Sequence, residues 1–175
     1  CAACDESGSW PTRRHVPAAY AAGMNDGITS ALNQALASEF SDVPDLAQAI
    51  TVVLRLSLAL LLGSLLGYER ETQGKSAGVR THMLVALGSA LFVLVPSQMG
   101  ADQSDLSRVM QGLVAGIGFL CAGTILKQQA AGEAQVLGLT TAAGLWLTAA
   151  IGMACGLGRE ITAIIAAVLA LVVFG

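Results

Sequence analysis

Five apolar runs separated by short polar loops set the pattern of this chain, at about residues 45–67, 81–97, 109–126, 137–157 and 159–175. A helix needs roughly 17–25 apolar residues to cross the hydrocarbon core of a bilayer. The first, third and fourth runs meet that length outright, the second with its flanks, and the fifth barely. Backbone polar groups in lipid must be paired internally, in helices or closed barrels. Nothing in these runs alternates with period two. The expected class is therefore all-α, a multi-pass transmembrane helix bundle of five spans. Pro44 and Asp45 are a start signal for the first span, and Pro96 a stop for the second.

Upstream the texture changes. Residues 1–23 show no periodicity and no apolar core after Arg13 and Arg14, so no signal peptide is read there. They are expected to be disordered, or to precede a true start at Met24. From there Ile28, Leu32, Leu36 and Phe40 recur at every fourth position. That spacing predicts a short amphipathic helix on the membrane surface within residues 24–44. Residues 45–175 then form the transmembrane domain.

Composition agrees with the pattern. Only 12% of the residues are charged, about half the share in a typical soluble domain. The few charges are also unevenly placed. Arg70, Lys75 and Arg80 lie between the first two runs and Lys127 between the third and fourth, against Arg108 and Arg159 in the other two loops. The excess of Lys and Arg in cytoplasmic loops predicts an N-terminus outside and a C-terminus in the cytoplasm. No basic patch interleaved with aromatics occurs, so nucleic acid is not an expected partner. Cys1 and Cys4 have C-x-x-C spacing, but no second pair completes a zinc site. Cys121 and Cys155 sit inside apolar runs and read as small packing residues.

The densest polar stretch is residues 67–82, which holds Glu69, Arg70, Glu71, Lys75, Arg80, Thr81 and His82. Topology accounts for the bases but not for Glu69, Glu71 or His82. The expected role is a clamp. Glu69 and Arg70 close the first helix, Arg80 and His82 open the second, and a Glu69–Arg80 pair would hold the two ends together. Arg55 is the other exception. Ten residues into a helix starting near Asp45 it would lie near the midplane, where arginine costs roughly 2.5–3.5 kcal/mol. No acidic residue lies away from the run ends to pair with it. Either it snorkels outward, or it serves an internal cavity, a lipid phosphate or a partner's carboxylate.

Small residues allow close helix approach in lipid. Gly63, Gly67, Gly112, Gly116, Gly118, Gly123, Gly138, Gly152 and Gly156 are the expected packing positions, favoured over a pore or hinge role. An enzyme is not expected, since no nucleophile–base–orienter set or phosphate loop is present. Glu69, Glu71 and Glu133 could offer oxygen ligands to magnesium, but none lies where a permeating ion would be held at the midplane. No other cofactor is expected.

The ordered blocks G-x-E-R-E at residues 67–71, G-x-R-T-H-x-L-V-x-L-G-S-A-L-F at 78–92, G-I-G-F-L-x-A-G-x-I at 116–125 and G-L-T-T-A-A-x-L-W at 138–146 resemble the MgtC/SapB family. The resemblance covers about residues 45–175. It implies a bacterial inner-membrane protein linked to growth at low magnesium and, in intracellular pathogens, to survival in macrophages. It also implies action on other membrane proteins, notably restraint of the proton-driven ATP synthase, rather than catalysis. Many members carry a cytoplasmic ACT-like domain after the fifth helix, which these 175 residues lack, and Cys121 stands where the family more often has glycine. The expected partners are the lipid bilayer, further copies of the chain, and the ATP synthase or another membrane protein. The alternative reading is a magnesium or other cation transporter or channel.

Overall fold

A computed structural model describes residues 18–39, 45–130 and 133–175. The tail through residue 17, with Cys1 and Cys4, lies outside the described residues, as do Phe40 and Pro44. The chain divides into two compact units, residues 1–46 and 47–175. The first contains helix α1, Ala18–Glu39, on which Ile28, Leu32 and Leu36 are all exposed. One face of α1 thus presents an apolar row at four-residue spacing.

The second unit is a helix bundle with one small hairpin. Its helices are α2 (Leu46–Thr72), α3 (Val79–Gln98), α4 (Gln103–Thr124), α5 (Leu139–Gly156) and α6 (Glu160–Phe174). Four of them, α2 to α5, are long and apolar enough to cross a membrane. Helix α6 has 15 residues, about 22 Å at 1.5 Å per residue, and is strongly apolar. Strands β1 (Leu126–Ala130) and β2 (Glu133–Leu137) pair antiparallel between α4 and α5, with Leu126 opposite Leu137. This hairpin is the one element among the described residues that is not helical, in a bundle that is all-α as expected. Its strands show no alternation in L-K-Q-Q-A or E-A-Q-V-L, so only the pairing across the turn reveals them.

Helix ends follow local chemistry. Asp102 caps α4, its Oδ1 accepting the backbone N–H groups of Ser104 at 2.8 Å and Asp105 at 2.9 Å. The third span therefore begins six residues earlier than its hydropathy suggests. Gly100 and Gly158 take positive φ just past α3 and α5, the left-handed conformation that favours glycine at such exits.

Helices α3 and α5 form the spine. Gly152 of α5 lies against the backbone carbonyl of Ala86 and Gly156 against that of Ala90, so a Cβ at either site would strike α3 backbone. From the other side, a Cβ on Gly63 of α2 would come within 2.8 Å of the His82 carbonyl oxygen and 2.9 Å of Ala86 Cβ. Ala86 is thus pressed between two glycines from two helices. The main core joins α2, α3, α5 and α6 through Leu62, Leu66, Ala90, Ile151, Cys155 and Ala167. Helix α4 packs on the far side of the spine, where Ile117 and Cys121 meet Ala142, Leu145 and Ala149. Cys121 donates its thiol hydrogen to the Ala142 carbonyl at 3.1 Å.

The nine expected packing glycines therefore divide. Gly63, Gly67, Gly138, Gly152 and Gly156 meet neighbouring backbone, whereas Gly112, Gly116, Gly118 and Gly123 of α4 face open space. Sequence spacing marks a small-residue face on a helix. Only the placement of the other helices decides whether that face is covered.

Candidate functional site

The last turn of α2 and the first of α3 bring the polar motif to one end of the bundle. Arg70 belongs to that last turn, yet only 3% of it is exposed. Its guanidinium lies 4.4 Å from the centre of the Phe174 ring at the end of α6. Its Nη2 donates to Thr140 Oγ1 on α5 at 3.0 Å, and its Nη1 to Gln73 Oε1 at 3.3 Å. Gln73 in turn donates to Glu69 Oε1 at 2.8 Å and to the Phe174 carbonyl at 2.6 Å. One arginine and one glutamine thus tie the ends of α2, α5 and α6 together. A delocalised, planar cation suits this role, because it can stack on a ring face and donate from its edge at once.

Glu71 reaches the other way, across the turn. Its Oε2 accepts the backbone N–H of Val79 at 2.9 Å. Gly78, at the N-cap of α3, has no side chain to satisfy that donor, so the carboxylate does the capping from eight residues upstream.

His82 is fully buried between the spine helices. Its Nδ1 lies 3.1 Å from the Gly78 carbonyl oxygen, so Nδ1 carries the donated proton. Nε2 lies near Gly144, 3.7 Å from where a Cβ would stand, and has no hydrogen-bond partner among the described residues. Gly144 also faces the Phe174 ring. Beside this histidine Thr148 is buried and donates to the Gly144 carbonyl at 2.8 Å.

The remaining motif residues point outward. Lys75, Arg80 and Thr81 are exposed. Among the described residues no Glu69–Arg80 ion pair forms; Glu69 accepts from Gln73 and Glu71 from the Val79 N–H. Helix geometry explains the outcome. Arg80 and His82 are two residues apart, about 200° around the axis, so burying one turns the other away from the bundle. Glu69 and Glu71 do not meet Glu133 in any described contact, the side chain of Glu133 lying outside the described residues. Among those residues no group of three or more His, Cys, Asp or Glu side chains is arranged around a common point.

Arg55 marks the opposite end. Its Nε lies 3.7 Å from Glu160 Oε1, and its Nη1 donates to the Gly156 carbonyl at 3.3 Å. Glu160 thus supplies the acidic neighbour that the apolar runs were not expected to offer Arg55. Helix α2 runs to 27 residues, and its first turns extend past the α5–α6 turn, so Arg55 is level with the start of α6. Glu160 was read as the start of the fifth apolar run, and nothing in its own neighbourhood announces a partner in α2. Gln73, Thr140 and Phe174 were likewise missed as partners of Arg70. The signal available for Thr140 was its place in the G-L-T-T block.

The family model for the MgtC family matches residues 56–175. Protein SrpB of Synechococcus elongatus is 50% identical over 113 residues, covering 59% of this chain and 62% of that protein. Protein MgtC of Salmonella typhimurium is 43% identical over 119 residues, covering 68% and 49%. YhiD of Escherichia coli strain K12, named as a candidate magnesium transporter, is 41% identical over 128 residues, covering 69% and 58%. The chain thus spans about half to three-fifths of the length of these curated relatives. No solved structure matches. With the family model covering residues 56–175, more than half of its length, this chain belongs to the MgtC family of multi-pass membrane proteins.

Proposed function

We propose that the protein supports adaptation to low magnesium by modulating other proteins of the bacterial inner membrane, such as the ATP synthase, and not by catalysis. The observation that carries this reading is the use made of the motif. Arg70, Glu71 and Gln73 are engaged in joining helix ends, while Arg80 and the glycine face of α4 are turned outward. A rigid core with one unpartnered side is what a membrane-embedded regulator needs. In this reading the N-terminus lies outside, the C-terminus lies in the cytoplasm, and the motif end of the bundle faces the cytoplasm. Residues 24–44 lie along the membrane surface. Copies of the chain associate with one another in the membrane.

The second reading, a magnesium transporter, draws on the name of the Escherichia coli relative. One experiment separates the two. In a strain lacking its magnesium uptake systems, the regulator supports growth at low magnesium without raising the initial rate of magnesium entry. A rise in that rate in proteoliposomes holding the purified protein would establish the transporter instead. Reporter fusions at Gly74 and Ser104 test the orientation, and should read cytoplasmic and external respectively.

A further inference from the structure

Between α3 and α4 runs an apolar groove of about 720 Å³. Gly88, Ser89, Gly112 and Gly116 line it, and Phe92 is the lining residue of α3 farthest from Arg80. Arg80 and Thr81 stand at its mouth. Three features bear on what occupies it. The groove follows α3 from Arg80 to Phe92, twelve residues or about 18 Å along the axis. That is close to half of the roughly 30 Å hydrocarbon core, the depth of one leaflet. The Arg80 guanidinium at the mouth is exposed and makes no ion pair or hydrogen bond within the described residues. The nearby acid, Glu71, is already committed to the Val79 N–H.

We infer that this groove is a binding site for one anionic phospholipid, with an acyl chain along Gly112 and Gly116 and the headgroup phosphate on Arg80 and Thr81. A second transmembrane helix fits less well. It would cross both leaflets, whereas the α3 residues that line the groove end at Phe92, with six residues of the helix still to run. It would also have to bring a carboxylate to Arg80. A phospholipid supplies the charge, the chain length and the position at the interface together, and arginine is well matched to phosphate oxygens. This site is independent of whether the protein modulates partners or moves magnesium.

Native mass spectrometry of the full chain in detergent, titrated with phosphatidylglycerol or phosphatidylcholine, tests the assignment. The wild type should hold one phosphatidylglycerol in preference to phosphatidylcholine by about fivefold, the factor for roughly 1 kcal/mol per basic residue at an anionic surface. Arg80→Gln should erase that preference. Gly116→Leu should abolish binding of both lipids while leaving the melting temperature in place, because its side chain enters open space. Should that variant fail to fold, Gly112→Leu serves the same end. Equal retention of the two lipids by the wild type, or undiminished lipid binding in the groove-filled variant, overturns the proposal. So does a groove-filled variant that loses a bound second copy in place of a lipid.

Discussion

The guanidinium of Arg70 lies 4.4 Å from the centre of the Phe174 ring, joining the last turns of α2 and α6. Fifteen residues earlier on α2, Arg55 meets Glu160 in the first turn of α6. The two helices therefore run parallel, with an arginine of α2 holding each end of α6. The two ends differ in strength. The Arg70 end is buried and hydrogen-bonded, whereas the Arg55–Glu160 side chains are 28% and 45% exposed at a separation too long for a hydrogen bond.

Replacing Arg70 by lysine keeps the charge but loses the planar face and the forked donors. Arg70→Lys should lower stability by about 1–3 kcal/mol, from cation–π and charged hydrogen-bond magnitudes. Denaturant unfolding in detergent would measure it. Phe174→Leu should cost less, and the double variant should cost less than the sum of the singles, because both remove one contact. Strictly additive losses would show that the stacking contributes nothing.

At the other end, Glu160→Gln should cost under about 1 kcal/mol, as expected of an exposed pair. Arg55→Ala should cost more, since it also strands the Gly156 carbonyl that the arginine satisfies. The same unfolding experiment ranks the two variants, and an equal loss would mean that the hydrogen bond is not formed.

Glu71 acts on α3 through a single oxygen. Glu71→Gln keeps an acceptor for the Val79 N–H and should stay near wild type, while Glu71→Ala should lose about 1 kcal/mol, the usual worth of a helix cap. Hydrogen exchange at Val79 and Arg80 reports the loss locally. Unchanged exchange in Glu71→Ala would remove the carboxylate from the capping role.

The two classes of glycine should separate sharply. Gly152→Ala drives a methyl group into the Ala86 carbonyl and should cost about 1–3 kcal/mol, in the range of core overpacking. Gly116→Ala enters open space and should stay within about 0.5 kcal/mol. If both variants melt alike, the close approach of α3 and α5 is not what the structure indicates.

Asp102 sets a pH dependence at the start of α4. The Asp105 N–H, the Ser104 hydroxyl and the Ser104 N–H all bond its carboxylate and hold its pKa below the usual aspartate value. A lowered folded pKa means that the cap contributes above the unfolded value and is lost as pH falls through the folded one. The first turn of α4 should therefore loosen below about pH 4. In Asp102→Ala that turn should be loose at every pH, so the protection of the Asp105 and Leu106 amides relative to their intrinsic exchange rates would no longer fall with acidification. A persisting pH step in the variant would assign it to another group.

The sequence by itself determined the class of this protein. Long apolar runs can satisfy their backbone in lipid only as helices here, so the bundle, its approximate spans and the polar stretch between α2 and α3 were legible from hydropathy. The family was legible in the ordered blocks. What hydropathy could not supply is which side of each helix is covered. In a soluble helix the apolar stripe names the buried face, but a span surrounded by lipid is apolar on every side. The glycines of α4 and of α5 therefore read alike, and only tertiary packing left one set open and pressed the other onto α3. The same indifference hid the partners of the two arginines. Arg55 and Glu160 are more than a hundred residues apart in sequence, as are Arg70 and Phe174. They meet because α6 returns parallel to α2, a choice made by packing between helices and not by the residues around either charge.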